Sequence, residues 1–171
     1  PQWQSIQGGS WTYVSRLLNA FYGAYQPATP IQGIQRSSDG QSVQLLLPQS
    51  RWETFDYVVL ATHADQTRSM LTDGPPAESK ALSAFTYSRH QAYLHTDTEL
   101  LPGYQNTWAS WNYRRQADQA QNPLSITYFM NRLQQFESSL TYCVSLNPNP
   151  LPRPETQVDA TGFDHPQFSF E

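Results

Sequence analysis

Residues 55–66 read FDYVVLATHADQ, and the fold turns on how this stretch is read. Asp56 opens it, and Tyr57-Val58-Val59-Leu60-Ala61 then runs apolar without alternation. An uninterrupted apolar run predicts a strand buried on both faces, as in a parallel sheet covered by other layers. Each Val or Leu in such a strand contributes roughly 1.5–3 kcal/mol by burial. The run passes into small and polar residues, Ala61-Thr62-His63-Ala64-Asp65. In open α/β sheets ligands bind just past the carboxyl ends of strands. Ala61, Thr62 and His63 are therefore the first candidates for a cofactor edge, against the plainer alternative of a core strand that stops.

The chain around it has 171 residues, enough for one domain or two small lobes. A net charge of -4 offers no basic field to nucleic acid or an anionic membrane. Cys143 is the only cysteine, which excludes an internal disulfide framework and a cysteine-built zinc site. No apolar run reaches the length of a membrane span and no signal peptide is visible, so a cytoplasmic location is the expectation. Lysine occurs once, at Lys80, while glutamine is abundant. A hydrophobic share of 38% is low for a self-sufficient globule, yet 13% aromatic residues argue against disorder. That combination, and the lack of an initiator Met at Pro1, predict part of something larger, with surfaces that meet segments outside this chain.

Local signals lay out the order of elements. Gly8-Gly9 permits a tight turn, Ser10 is a candidate N-cap, and Val14, Leu17, Leu18, Phe21 and Tyr22 recur at helical spacing. Ile31 and Ile34 mark a short extended segment, Ser38-Asp39-Gly40 a hairpin turn, and residues 42–47 the returning strand. Pro48-Gln49-Ser50 turns again into residues 51–55. The expectation is a helix, a three-stranded meander and then the buried strand. Residues 64–71 read as a short helix, and Thr72-Asp73-Gly74-Pro75-Pro76 as the clearest linker, which places a domain boundary at residue 76. Beyond it come a helix over 78–85 and a strand over 88–96. A strand over 107–113 follows, then polar turn-like residues 114–122 and a strand over 123–130. A helix over 131–140 and a strand over 141–146 complete the lobe. The proline-rich tail 151–171 is expected to order only against absent segments.

Taken in order, Gly8-Gly9-Ser10, Leu17, Pro30-Ile31, Ile34, Asp39-Gly40, Val43 and residues 55–62 resemble the middle of a flavin-containing amine oxidase-like protein. The later stretches HTD, WASWNY, TYFMNRLQ and SLNPNP are similar to a bacterial subgroup of predicted FAD-binding oxidoreductases in that superfamily. The resemblance implies an α+β fragment of a two-domain, Rossmann-like flavoprotein. Residues 1–76 would be part of the FAD domain (helix, β-meander, buried strand) and residues 77–171 part of a mixed-sheet substrate domain. It implies FAD as cofactor of the parent. Ile31 would lie where the family's backbone meets the adenine, and Ala61, Thr62 and His63 near the adenosine. The family's GxGxxG turn, which holds the pyrophosphate at a helix N-terminus, is not in this sequence, so the fragment alone is expected to bind FAD poorly and to be inactive. The partners implied are a small-molecule substrate and the remainder of the parent chain, with no nucleic acid and no membrane span.

The candidate chemistry lies in the second half. Trp108, Trp111, Tyr113 and Tyr128 are read as rings that frame a substrate at the flavin face, where hydride leaves the carbon beside nitrogen. Asn112 and Asn131 would add directional hydrogen bonds. The same rings also suit a plain sheet core. His90 and His95, an odd number of residues apart on one strand, point to opposite faces, and no carboxylate pair stands at ligand spacing, so no metal is expected. A hydrolase would need a nucleophile turn such as GxSxG, which the sequence lacks. Cys143 reads as a buried small residue rather than a flavin attachment point. The competing class is a non-enzymatic β-rich module that uses exposed aromatics on sugars or lipids, or a structural partner.

Overall fold

A computed structural model describes residues 4–115 and 124–168. In chain order the elements are α1 (Ser10–Ala20), β1 (Gly33–Arg36), β2 (Val43–Leu47), β3 (Arg51–Phe55), α2 (Ala64–Met70), α3 (Pro76–Ser83), β4 (Thr86–His95), β5 (Trp111–Arg115), β6 (Leu124–Phe129), α4 (Met130–Leu133), β7 (Cys143–Leu146) and β8 (Gln157–Gln167). They form two compact units. One comprises Pro1–Tyr22 with Arg89–His165, the other Gly23–Ser88 with Pro166–Glu171.

In the unit built on residues 23–88, the meander forms where the turn signals put it. β1, β2 and β3 pair antiparallel in that order, with Ile34 opposite Leu45 and Leu46 opposite Trp52. The first hairpin is held by Asp39, whose Oδ1 accepts from Ser37 Oγ at 2.6 Å and from Gln41 N at 3.0 Å. Gly40 follows at φ 69°, in the region glycine enters without steric cost. Residues 72–76 are no free linker. Thr72 donates from N and from Oγ1 to Ile34 O, both at 3.1 Å, and Asp73 Oδ2 accepts from Arg36 N at 2.6 Å. The Arg36 guanidinium then grips Glu78 at 2.8 Å, at the start of α3. Gly74 and Pro75 interrupt regular structure here and Pro76 opens α3, while the side chains around them tie the segment to β1.

The buried strand expected over residues 57–61 does not form. β3 ends at Phe55, and residues 57–61 take no regular structure. Tyr57 and Val59 are each 91% exposed. Among the described residues, none donates or accepts a backbone hydrogen bond in this run. The physical reason is that a doubly buried strand needs neighbours on both edges and layers on both faces. This unit supplies a three-stranded antiparallel meander, and no described strand flanks residues 57–61. Apolar continuity states a need for burial that the described residues do not meet.

The unit holding residues 89–165 is built on a five-stranded sheet in the order β5-β6-β7-β4-β8. Its β5–β6, β6–β7 and β7–β4 pairings are antiparallel, so the mixed sheet expected there is not found. The tail, expected to order only against absent segments, supplies β8 within this chain, an eleven-residue edge strand. β5 starts only at Trp111, because Gln105–Thr107 is a 3-10 turn. The helix expected over 131–140 stops at Leu133, and Gln135 has φ 54°. The turn expected over 114–122 begins as strand, since β5 runs to Arg115. Residues 116–123, with Pro123 at the expected strand start, lie outside the described residues. α1 forms over Val14, Leu17 and Leu18 but ends at Ala20, before Phe21 and Tyr22, and its cap is Gly9 rather than Ser10. Gly9 has φ 80° and ψ 177°, a backbone suited to glycine, and none of the helix's residues is buried.

The register sorts the side chains of this sheet by chemistry. Trp111 faces Tyr128, Tyr113 faces Ile126, and these share a side with Val144, Leu146, Leu94 and Ala92. The opposite side carries Ser125, Thr127, Cys143, Ser145 and His95, all buried. This buried side is polar and hydrogen-bonded across strands. Asp97 N donates to His95 Nδ1 at 3.1 Å, which leaves the ring proton on Nε2. His95 Nε2 then donates to Ser145 Oγ at 2.8 Å, and Ser145 Oγ lies 2.8 Å from Thr127 Oγ1. A row of side chains therefore ties β4, β7 and β6 together, as unpaired polar groups at this depth would be costly.

Asp97 closes the row's outer end. Burial works to raise its pKa, but hydrogen bonds from Arg153 N, the Arg153 guanidinium and Glu99 N outweigh it and hold the carboxyl below its ordinary value. Burial lowers the pKa of His95, against the opposing pull of Asp97. The unfolded chain therefore binds more protons than the folded one as pH falls below the ordinary histidine value of about 6.5, and stability declines there. Asp97 adds a second loss further down, below the ordinary carboxylate range. We predict that the urea midpoint falls between about pH 7.5 and about pH 5, and that His95→Gln, although less stable, shows a smaller fall. Equal falls in both proteins contradict the neutral-histidine assignment.

Candidate functional site

The sheet's aromatic side is open. Trp111 is 50% exposed and Tyr113 60% exposed, whereas Ser125, Thr127, Cys143 and Ser145 on the other side of β6 and β7 are buried. Trp111 stands edge-on to Tyr128, with ring centroids 5.9 Å apart. Burial, and then the neighbouring Tyr113, push the Tyr128 phenol above its ordinary pKa, so it stays protonated. Next to these rings lies a cavity of about 500 Å³ lined by Gln4, Ser5, Ala109, Ser110, Trp111, Arg132, Leu133 and Gln135.

Two asparagines hold the walls. Asn112 Nδ2 donates to Ala109 O at 2.7 Å and to Thr127 O at 3.2 Å, while its Oδ1 accepts from Ala109 N at 3.0 Å. This clasp folds residues 109–112 back onto β6 and fixes the cavity floor. Asn131 Nδ2 donates to Leu140 O at 2.9 Å, and its Oδ1 accepts from Tyr142 N at 2.7 Å. That clasp fixes the one-turn α4 against the approach to β7 and so positions Arg132. Arg132 Nη1 donates to Trp108 O. Trp108 is itself pinned, with Nε1 donating to Pro102 O at 2.7 Å and its ring edge-on to Phe129 at 5.5 Å.

The expected substrate residues thus divide. Trp111, Tyr113 and Tyr128 share one face, and Trp111 lines the cavity. Trp108 precedes the strand, and its backbone carbonyl holds Arg132. Asn112, on the opposite side of the strand from Trp111, spends its amide on backbone groups. Arg132, Ser110 and Gln135 are cavity residues that sequence reading missed. The periodicity of Leu133, Phe136 and Leu140 predicted a longer helix, and no residue type announces the left-handed backbone at Gln135 that ends it.

The expected cofactor residues lie in the other unit. His63 is the N-cap residue of α2 and stacks on Tyr87 at 4.7 Å, with an interplanar angle of 19°. The Tyr87 hydroxyl accepts from Ala64 N at 2.7 Å, and Thr62 Oγ1 lies 2.8 Å from Thr67 Oγ1. Ala61 is exposed. Ile31 is half-buried, and its amide and carbonyl make no hydrogen bond to other described residues. No hydrogen bond among the described residues joins Ile31 to residues 61–63.

Two other chemistries are weakened by geometry. Ser145 and His95 touch, but His95 Nε2 donates to the hydroxyl and so has no lone pair there to take its proton. Burial first, and then the charge of Asp97, push the Cys143 thiol up to about 12, which leaves it protonated and poorly nucleophilic. Among the described residues, no group of three or more His, Cys, Asp or Glu is placed to hold a metal ion, and no helix is long and apolar enough to cross a membrane.

No family model matches the chain, and no curated protein matches it. The bonding of Asn112 gives a direct test. Asn112→Ala removes three hydrogen bonds and is expected to lower the unfolding free energy by about 1–3 kcal/mol, measured by urea denaturation. A variant as stable as wild type contradicts the clasp.

Proposed function

We propose that this chain is a middle portion of a cytoplasmic FAD-dependent oxidoreductase resembling flavin-containing amine oxidases. The observation that carries the reading is the uncovered apolar run at residues 57–60, which leads straight into Ala61, Thr62 and His63. Surface of this kind marks a site of association. A parallel flavoprotein sheet completed by flanking segments would bury it.

The residues present suit the nucleotide half of the cofactor. Ile31 offers a backbone amide and carbonyl without a partner among the described residues, as an adenine edge requires. Ala61 and Thr62 are small and exposed and leave room beside it. The pyrophosphate cradle would come from a GxGxxG turn outside this sequence. FAD, when bound, supplies the acceptor for a hydride. This chain's own contribution is positioning. Trp111 and Tyr113 offer flat faces that exclude water and orient a substrate, and Tyr128 presents a neutral phenol behind them. Asn112 and Asn131 keep those rings and Arg132 in register.

The exposed rings of β5 also favour a second reading, a module that stacks sugars or lipids. Expression of the chain with its upstream coding sequence separates the two. The oxidoreductase reading predicts that the longer product retains flavin through dialysis, with absorption in the visible flavin bands, and that the isolated chain does not. Glycan or lipid binding by the chain, with no flavin in the longer product, supports the second reading and refutes the first.

A further inference from the structure

We propose that the cavity beside Trp111 binds a carboxylate with an apolar body, held at its charged end by the Arg132 guanidinium. A volume of about 500 Å³ suits a small organic molecule. Its described lining contains one cation, Arg132, and no carboxylate. Arg36, Arg51, Arg89 and Arg153 each face a carboxylate at 4.0 Å or less, whereas Arg132 has none among the described residues. One of its N–H groups is spent on Trp108 O, which anchors the side chain. Nε and Nη2 have no partner among the described residues and keep a donor fork of the kind that grips a carboxylate. Trp111 and Leu133 supply the apolar wall, and Ser110 and Gln135 add polar groups.

Charge decides which ligand class fits. An ammonium head beside Arg132 would be repelled, and no described lining carboxylate offsets that repulsion. The apolar wall gives inorganic anions nothing to stack on. A carboxylate joined to a ring or short chain satisfies both halves. The net charge of -4 opposes anion capture at long range, but such repulsion is screened beyond roughly 8–10 Å at physiological salt, whereas a direct contact is not. Binding of this kind needs no flavin. Only the description of the ligand as a substrate rests on the oxidoreductase reading, where it would mean a substrate that carries its negative charge at Arg132.

The test is titration calorimetry on this chain with 3-phenylpropanoate, 3-phenylpropanamide and 2-phenylethylammonium. The carboxylate is expected to bind about tenfold or more tighter than the amide, with no binding of the ammonium. Arg132→Gln is expected to remove that margin, and Arg132→Lys to keep part of it. Equal affinities for acid and amide overturn the proposal, as does a margin that survives in R132Q, preference for the ammonium, or no binding of any probe. If circular dichroism shows that R132Q does not fold, the acid–amide comparison on wild type and R132K still decides. A retained margin with no flavin in the longer product would refute the oxidoreductase reading alone.

Discussion

The row of hydrogen bonds from Asp97 N through His95 and Ser145 to Thr127 governs how the larger sheet is used. Small polar side chains can be buried only when each finds a partner, and here they find one another across three adjacent strands. Once that side is committed, strand alternation sends Trp111, Tyr113, Tyr128, Val144 and Leu146 to the other. The open aromatic face is therefore a consequence of the polar seam. It is an unusual allocation, since burial of the large rings would release more free energy than burial of Ser and Thr. Buried apolar side chains among the described residues are few: Ile34, Leu47, Leu100, Leu101, Cys143, Pro148 and Pro152. Much of the apolar surface is left for something else to cover.

Elements set by local chemistry were legible in the sequence. The meander follows from Asp39-Gly40 and Pro48, and α1, α2 and α3 follow from spacing and breakers. Strand parity correctly put Trp111 and Tyr113 opposite Asn112. Elements that depend on partners were not legible. Residues 57–61 have the pattern of a central strand, but pattern cannot supply neighbours. The proline-rich tail reads as irregular, yet it becomes β8 because β4 offers an edge. The 72–76 segment has the composition of a linker, but Asp73 and Glu78 find Arg36 from far along the chain.

The candidate site was legible in its rings and not in its framework. Aromatic residues advertise themselves by type, whereas Asn112 and Asn131 look like ligand-binding amides until their backbone partners are seen. Both asparagines act by shaping the loop that carries a neighbour, Ala109 in one case and Arg132 in the other. Arg132 had no sequence signal. It becomes a cavity residue only because α4 lasts one turn and Gln135 reverses the backbone after it.

The central claim is that residues 57–60 are an uncovered apolar segment, whereas the strands of the larger sheet are paired and cross-linked by their own side chains. Hydrogen exchange followed by mass spectrometry tests it in one measurement. The account predicts that amides of residues 57–60 exchange at near-unstructured rates in this chain while those of residues 126–128 and 143–146 are strongly protected. Protection of residues 57–60 equal to that of β6 and β7 would mean that the segment is a paired strand after all, and would contradict the account.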